Sequence, residues 1–196
     1  MTVRTNSFVD AVVSTATGGM TRIQWLRDSA VRFFPAIKDK VFGYRLHDLD
    51  LAVNKVLAMA GRREPRDYYD VIKLHEAGQT LAMLAWAAPA KDPGLTPELI
   101  LDEINRHSNY LASELQAEFP DAEPRAMKKI LLAATHEARD LFPKLPLSQV
   151  GYLYLDRKGR AALPDPKAVA EKRLVLHGAV LRGAWPVLAP ARPRKG

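Results

Sequence analysis

Charged side chains that suit phosphate chemistry are concentrated in one short stretch of the chain, at Lys55, Arg62, Arg66, Asp67 and Asp70. A lysine point charge and an arginine fork both bind phosphate oxygens well. Lys55 and Arg62 are seven residues apart, so they share nearly one helical face if the helix reaches that far. Arg66 and Asp70 have the i, i+4 spacing at which opposite charges pair. The pattern predicts either a phosphate-binding site or a structural ion-pair network that joins two helices.

Two helices must position these side chains. Apolar residues recur with helical spacing through residues 49–60, at positions 49, 52, 53, 56, 57 and 60. Gly61 follows where the first helix is expected to end. Pro65 suits the first turn of a second helix, because the amide hydrogen that proline lacks has no helical partner there. We therefore predict a second helix over residues 65–76 and place the charged residues within one helical hairpin.

The same stretch resembles the nucleotidyltransferase-like toxins of the AbiEii/AbiGii type. Motifs of that family read roughly Asp-Leu-Ala-x-Asn-Lys, then an Arg, then Arg-Asp-x-x-Asp. The matching residues are Asp50, Leu51, Ala52, Asn54, Lys55, Arg62, Arg66, Asp67 and Asp70. Four further segments look like the strands and the closing region of the family, at residues 27–35, 42–47, 151–155 and 177–186. The resemblance covers residues 21–188.

The resemblance implies a cytoplasmic toxin that transfers a nucleotide from a nucleoside triphosphate to an acceptor such as tRNA. It implies a cognate antitoxin protein as a partner and Mg²⁺ as the cofactor. The catalytic residues that it implies are Asp28, Lys55, Asp67 and Asp70, and the nucleotide-binding residues are Lys55, Arg62 and Arg66. Two alternatives remain open. One is a non-catalytic or shortened relative that acts as a binding or regulatory module, and the other is an unrelated helical interaction module.

The metal-binding motif of the family has no clear counterpart. Such enzymes hold Mg²⁺ with paired aspartates, because this ion prefers oxygen ligands. Gly18-Gly19 is present, but the next Asp-x-Asp pair is Asp48 and Asp50, at the start of a predicted helix. Aspartates at that position are expected to cap the helix. Gln24 stands where another acid would assist, and Asp28 is the nearest candidate. The sequence therefore does not identify the residues that would bind Mg²⁺.

Composition narrows the possible classes of protein. The chain has 196 residues, 47% of them apolar, a formal net charge of +7 and no cysteine. Disulfides and thiol catalysis are excluded. No apolar run approaches the roughly 20 residues of a membrane-spanning helix, so no membrane partner is expected. The positive charge is compatible with RNA binding, although it is divided among several separate clusters. The five histidines show no metal-ligand spacing and are expected to pack or to face solvent.

Periodicity along the chain predicts an α+β fold, with a small N-terminal strand region, a helical bundle and a late β-hairpin. A strand pattern covers residues 21–34 and a shorter one covers 42–46. Further helices are predicted at 79–88, from 97 onward, at 109–118 and at 123–142, and a hairpin with Gly159 in its turn at 150–163. The predicted divisions are a partial nucleotidyltransferase-like strand region at 1–47, a helical domain at 48–142, the hairpin and C-terminal extension at 143–189, and a disordered tail at 190–196.

Overall fold

The computed structural model describes residues 2–4, 8–14, 16, 18–26 and 30–181. These residues form an α+β fold of seven α-helices and ten short strands in four antiparallel sheets, which confirms the predicted fold class. They fall into two compact units, one that ends at Ala30 and one that begins at Val31. In this part of the chain no helix is long and apolar enough to cross a membrane. The predicted tail at 190–196 lies outside the described residues.

Three strands make up the described part of the first unit, namely β1 (Thr2–Arg4), β2 (Phe8–Ser14) and β3 (Met20–Leu26). They form an antiparallel sheet with β2 in the middle. Arg22 Nε donates a hydrogen bond of 3.0 Å to Asp10 Oδ1 across β2 and β3. The strand predicted over 21–34 is shorter than expected, since β3 ends at Leu26. The sequence pattern did not predict β1 or β2.

All seven helices of the described residues lie in the second unit. The hairpin consists of α1 (Asp48–Gly61) and α2 (Pro65–Glu76). The other helices are α3 (Leu81–Ala87), α4 (Pro97–His107), α5 (Ala112–Glu118), α6 (Pro124–Leu141) and α7 (Pro166–Ala170). Six of the seven agree with the predicted positions to within a few residues, and α7 was not predicted.

Seven short strands complete the second unit. They are β4 (Val31–Arg32), β5 (Ile37–Asp39), β6 (Gly43–Arg45), β7 (Tyr152–Asp156), β8 (Ala161–Ala162), β9 (Leu174–Gly178) and β10 (Val180–Leu181). β5 pairs with β6, β10 pairs with β4, and β7 lies between β8 and β9. The predicted hairpin is formed by β7 and β8, and Gly159 has a φ of +74° in its turn. β9 adds a third strand that the pattern did not predict.

The start of α1 differs from the prediction that Asp48 or Asp50 caps it. The cap is His47, whose ring Nδ1 accepts a hydrogen bond of 3.2 Å from the Leu49 amide. Asp48 instead pairs with Arg45. Asp50 is fully buried and faces the core. The prediction was wrong because an aspartate within the first helical turn is read as a cap when its long-range partners are not known.

The helical core surrounds Trp86 of α3, which is completely buried. Its indole Nε1 donates a hydrogen bond of 2.8 Å to the Gln149 carbonyl. The Trp86 carbonyl accepts one of 2.9 Å from the Gly151 amide, next to β7. Its ring packs against Phe142 beyond α6, with centroids 5.3 Å apart. α3 is therefore the central helix, and it fixes the hairpin strands against the bundle.

A buried ion pair joins the start of α1 to the turn that follows α3. Lys91 Nζ lies 2.7 Å from Asp50 Oδ1, and the two side chains are 3% and 0% exposed. The Asp50 carboxylate also accepts hydrogen bonds of 2.9 Å from the Phe33 and Phe34 amides. Lys91 donates a further one, of 2.8 Å, to Asn54 Oδ1. Every charge in this group has a partner, which is the condition for burying an ion pair without a large penalty.

We predict that Asp50→Asn lowers the free energy of unfolding by about 3–5 kcal/mol, because it leaves the Lys91 ammonium buried without a counter-charge. Urea denaturation of the variant and the wild type measures the difference. Asp102→Asn is the matched control, since Asp102 pairs with Arg139 with about half of each side chain exposed. Its expected loss is below about 1 kcal/mol. A similar loss in both variants would contradict the role assigned to burial.

Candidate functional site

The α1–α2 hairpin brings Lys55, Arg62, Asp67 and Asp70 into one cluster, hereafter the Lys55 cluster. Lys55 Nζ lies 3.3 Å from Asp67 Oδ1 and 2.6 Å from Asp70 Oδ2. Arg62 Nε lies 2.8 Å from Asp67 Oδ2. Four of the predicted site residues therefore meet, although they come from two helices and the turn between them. Two cations and two carboxylates give the cluster no formal net charge.

Burial differs sharply within the Lys55 cluster. The Asp67 side chain is 2% exposed, whereas those of Asp70 and Lys55 are 41% and 40% exposed. Asp67 is therefore fixed between two cations, and its position depends on both of them. Lys55 and Asp70 share a solvent-facing edge, where a lysine can exchange partners at small cost. The part of the cluster that can respond to a ligand is the Lys55–Asp70 edge.

Of the two remaining predicted site residues, one is described, and it is not part of this cluster. Arg66 is 71% exposed and lies 3.7 Å from Glu118 of α5, so the expected pairing of Arg66 with Asp70 does not form. The reason is that Lys55 from the neighbouring helix already holds Asp70 at 2.6 Å. Asp28, the candidate acid after β3, lies outside the described residues.

The carboxylates set the proton affinities of the two cations. Burial lowers the pKa of Lys55, but the hydrogen bonds and charges of Asp70 and Asp67 outweigh this effect and raise its pKa above the ordinary 10.5. The hydrogen bond to Asp67 raises the pKa of Arg62. Both side chains are therefore firmly cationic at neutral pH. Neither is suited to act as a general base, which leaves charge stabilisation as their available chemistry.

A pocket of about 400 Å³ opens beside the exposed edge of the Lys55 cluster. Lys55 and Asp70 line it together with Lys73, Leu74 and Gln79. Lys73 is held by Glu76 of the same helix at 2.8 Å. Gln79 Oε1 is buried and has no hydrogen-bond partner among the described residues. A buried amide oxygen without a partner is costly, so it is a natural acceptor for a donor group on a ligand.

Sequence reasoning did not identify Gln79 or Lys73 as site residues. Gln79 follows Gly78, whose φ of +88° allows the chain to turn back after α2 and reach the pocket. Only the turn geometry brings this glutamine near Lys55. Lys73 reads as an ordinary exposed residue of an amphipathic helix, and its i, i+3 partner Glu76 supports that interpretation.

The described residues do not supply a carboxylate set for Mg²⁺. No group of three or more His, Cys, Asp or Glu side chains could hold a metal within this part of the chain. Asp48 and Asp50, the Asp-x-Asp pair of the sequence, diverge: Asp48 pairs with Arg45 and Asp50 with Lys91. Asp67 and Asp70 are occupied by Lys55 and Arg62. Taken alone, the described residues therefore do not fit Mg²⁺, the predicted cofactor.

The chain matches no protein-family model, no curated protein and no solved structure at a significant level. The resemblance to the nucleotidyltransferase-like toxins therefore stays a prediction.

We predict that Asp67→Asn costs about 2–4 kcal/mol of folding free energy, because it leaves Lys55 and Arg62 facing a neutral buried amide. Asp70→Asn is the matched variant on the same helix, at a half-exposed position. Its expected cost is below about 1 kcal/mol. Chemical denaturation measures both values. Equal costs would contradict the division of the cluster into a fixed part and an adjustable edge.

We also predict a pH dependence that belongs to Lys55. Because its pKa is raised in the folded state above the ordinary 10.5, its charge stabilises the fold fully below that pH. This contribution is lost as the pH rises through the folded-state pKa. The difference in unfolding free energy between wild type and Lys55→Met should stay constant from about pH 8 to 10 and shrink above about pH 10.5. If the difference in unfolding free energy instead grew as the pH rose above about 10.5, the predicted direction of the pH dependence would be wrong.

Proposed function

We propose that this chain is a nucleotidyltransferase-like protein of the toxin–antitoxin type. In this proposal it binds a nucleoside triphosphate at the Lys55 cluster and transfers a nucleotide to an acceptor such as tRNA. The observation that supports it is the convergence of Lys55, Arg62, Asp67 and Asp70 beside an open pocket. The same four residues belong to the motifs that carry the resemblance. A cognate antitoxin protein and a cytoplasmic location belong to the proposal.

In the proposed site each residue has a distinct task. Lys55 exchanges Asp70 for a phosphate oxygen, which its exposed edge allows without disturbing the core. Asp67 is a positioning residue, because it is buried and holds Lys55 and Arg62 from one carboxylate. The free Oε1 of Gln79 accepts a hydrogen bond from a hydroxyl or amino group of the nucleotide. Charge stabilisation and positioning are the contributions that phosphoryl chemistry chiefly requires of a protein.

Nucleotidyl transfer also depends on a divalent cation, which neutralises the phosphates and lowers the pKa of the attacking hydroxyl. The described residues do not provide its ligands. In this proposal the Lys55 cluster accounts for nucleotide binding, and Asp28, the further acid that the resemblance implies, lies outside the described residues.

A second candidate function is a non-catalytic binding or regulatory module. One observation favours it: both cations of the Lys55 cluster are already paired, so the cluster is neutral and joins α1 to α2 by itself. Such a network needs no nucleotide to be stable. Under this alternative the protein folds cooperatively and ignores triphosphates. A single binding experiment separates the two candidates.

We predict that at least one of the four nucleoside triphosphates binds in a saturable manner, measured by calorimetry with and without Mg²⁺. Lys55→Ala should weaken that binding by about tenfold or more, as expected for a lost charge-assisted hydrogen bond. Lys55→Glu should abolish it. Lys129→Ala is the matched control, since Lys129 is an exposed lysine on α6 away from the pocket. Circular dichroism and thermal melts confirm that each variant is folded.

Binding that is lost at Lys55 and retained at Lys129 would support the proposal, and transfer of a labelled nucleotide to tRNA would then test catalysis. No heat with any triphosphate from the folded wild type would reject it in favour of the binding module. Binding that is unchanged in Lys55→Glu would remove Lys55 from the site.

A further inference from the structure

A second cavity, of about 590 Å³, lies among α2, α4, α5 and α6. Its volume is within the range of about 300–1,000 Å³ that small-molecule sites occupy. None of its lining residues belongs to the pocket beside Lys55. It is therefore a separate feature of the helical bundle, and a ligand bound there would be independent of the proposed function.

The cavity is lined by three cations, of which two have no carboxylate partner among the described residues. Arg106, Arg125 and Lys128 line it, and no Asp or Glu is among its described lining residues. Glu103 holds Arg106 at 3.1 Å. Arg125 and Lys128 lie one turn apart on α6, and neither forms an ion pair within the described part of the chain. Two cationic side chains therefore face the cavity with their charges uncompensated, which favours an anionic ligand.

The acidic residues of α5 do not offset this charge. Glu114 is paired with Arg63 at 2.7 Å. Glu118 lies 3.7 Å from Arg66. Both carboxylates thus have cationic neighbours in α2 or in the turn before it.

Tyr68 gives the cavity a hydroxyl that can donate a hydrogen bond. This residue of α2 is 2% exposed and lines the cavity, yet its hydroxyl forms no hydrogen bond among the described residues. A tyrosine hydroxyl that lines a cavity is available to a ligand. Burial raises the pKa of Tyr68 to about 12, so the phenol stays protonated and able to donate at neutral pH. A ligand that accepts a hydrogen bond would satisfy it.

Polar and aromatic groups complete the lining. Tyr110 packs against Tyr68, with ring centroids 5.3 Å apart, and the Arg63 guanidinium lies 4.4 Å from the Tyr110 centroid. Asn105 and Asn109 add side-chain amides, which can donate and accept and so match the edges of nucleobases. A ligand that fits this lining carries an anionic group and a ring system with polar edges.

We propose that this cavity binds a nucleoside phosphate, with the phosphate on Arg125 and Lys128 and the nucleoside against Tyr68, Asn105 and Asn109. The charged side chains of α6 are exposed, whereas Tyr68 is buried, so the phosphate lies toward the opening and the nucleoside lies deeper. The same chemistry is available from a free mononucleotide or from a nucleotide within single-stranded RNA. An acidic peptide would pair with the two unpaired cations of α6. It would not supply a ring with polar edges for the Tyr68 hydroxyl and the asparagine amides to contact.

Calorimetric titration with AMP, CMP, GMP and UMP, and with single-stranded RNA hexanucleotides of one base each, tests the proposal. Tyr68→Phe removes only the hydroxyl, and since that group has no partner in the described chain, the thermal midpoint should not change. Binding of the best ligand should weaken by about fivefold to tenfold in Tyr68→Phe and to a similar extent in Lys128→Ala. Lys129→Ala, on the same helix, is the control and should bind like the wild type.

Equal affinity for a mononucleotide and its hexanucleotide would identify a free nucleotide as the ligand, and tighter binding of the hexanucleotide would identify RNA. Either result supports the proposal if Tyr68→Phe and Lys128→Ala also weaken the binding of that ligand. Three results would overturn it: no heat with either class at millimolar concentration, tighter binding of a hexaglutamate peptide, or insensitivity to both variants. Loss of the same binding in Lys55→Ala would assign the ligand to the other pocket and also overturn it.

Discussion

The buried contact between Asp50 and Lys91 determines where α1 begins and which way its faces point. One carboxylate accepts the Phe33 and Phe34 amides and pairs with Lys91, so it ties the segment before the hairpin to the turn after α3. Desolvating a charge pair costs several kcal/mol unless each partner is fully satisfied. A rotation of α1 that separated the pair would therefore be strongly opposed. With Asp50 facing inward, Lys55 is directed to the side of α1 that meets α2.

The contacts around Phe34 reinforce this arrangement from the other side. The Phe34 ring is stacked between His47 and His177, with centroid distances of 4.0 and 4.4 Å. The Nε2 atom of His177 lies 2.8 Å from the Phe33 carbonyl, a distance that allows a hydrogen bond when this nitrogen carries the proton. His47 also caps α1. Two of the five histidines thus serve packing and capping, and β9 is joined to the entry of the helical hairpin through them.

Local sequence signals were sufficient for six of the seven described helices and insufficient for the long-range partners of their residues. The period of apolar residues and Pro65 predicted α1 and α2 almost to the residue, and α4 begins at residue 97 as predicted. Such signals act within one turn, so they require no knowledge of the fold. Asp50 shows the limit, because a carboxylate within the first turn of a helix reads as a cap until its partner, 41 residues away, is known. β1 was missed because three residues have little periodicity, and β2 was missed because its apolar residues do not alternate regularly with polar ones.

The same distinction applies to the candidate sites. The Lys55 cluster followed from residues on adjacent helices with a short turn, so their spacing was enough to bring them together. The expected pairing of Arg66 with Asp70 was wrong, because i, i+4 spacing permits a pair but does not show that Lys55 already holds Asp70. Gln79 and the cavity near Tyr68 depend on packing among several helices, which single-sequence patterns do not encode.

Helix α2 contributes neighbouring residues to both candidate sites, and the two sites differ in their balance of charge. Asp67 faces Lys55 and Arg62, where positive and negative charges balance, whereas Tyr68 faces the cavity with the unpaired Arg125 and Lys128. A balanced cluster exerts little field beyond its own contacts, while uncompensated cations attract anions over about a Debye length, roughly 8 Å at physiological salt. The two sites should therefore respond differently to ionic strength. Ligand binding at the cavity near Tyr68 should weaken steeply as the salt concentration rises, because the unpaired Arg125 and Lys128 attract anions over a long range. The exchange of Asp70 for a ligand at Lys55 should depend less on salt, because it is governed mainly by local contacts.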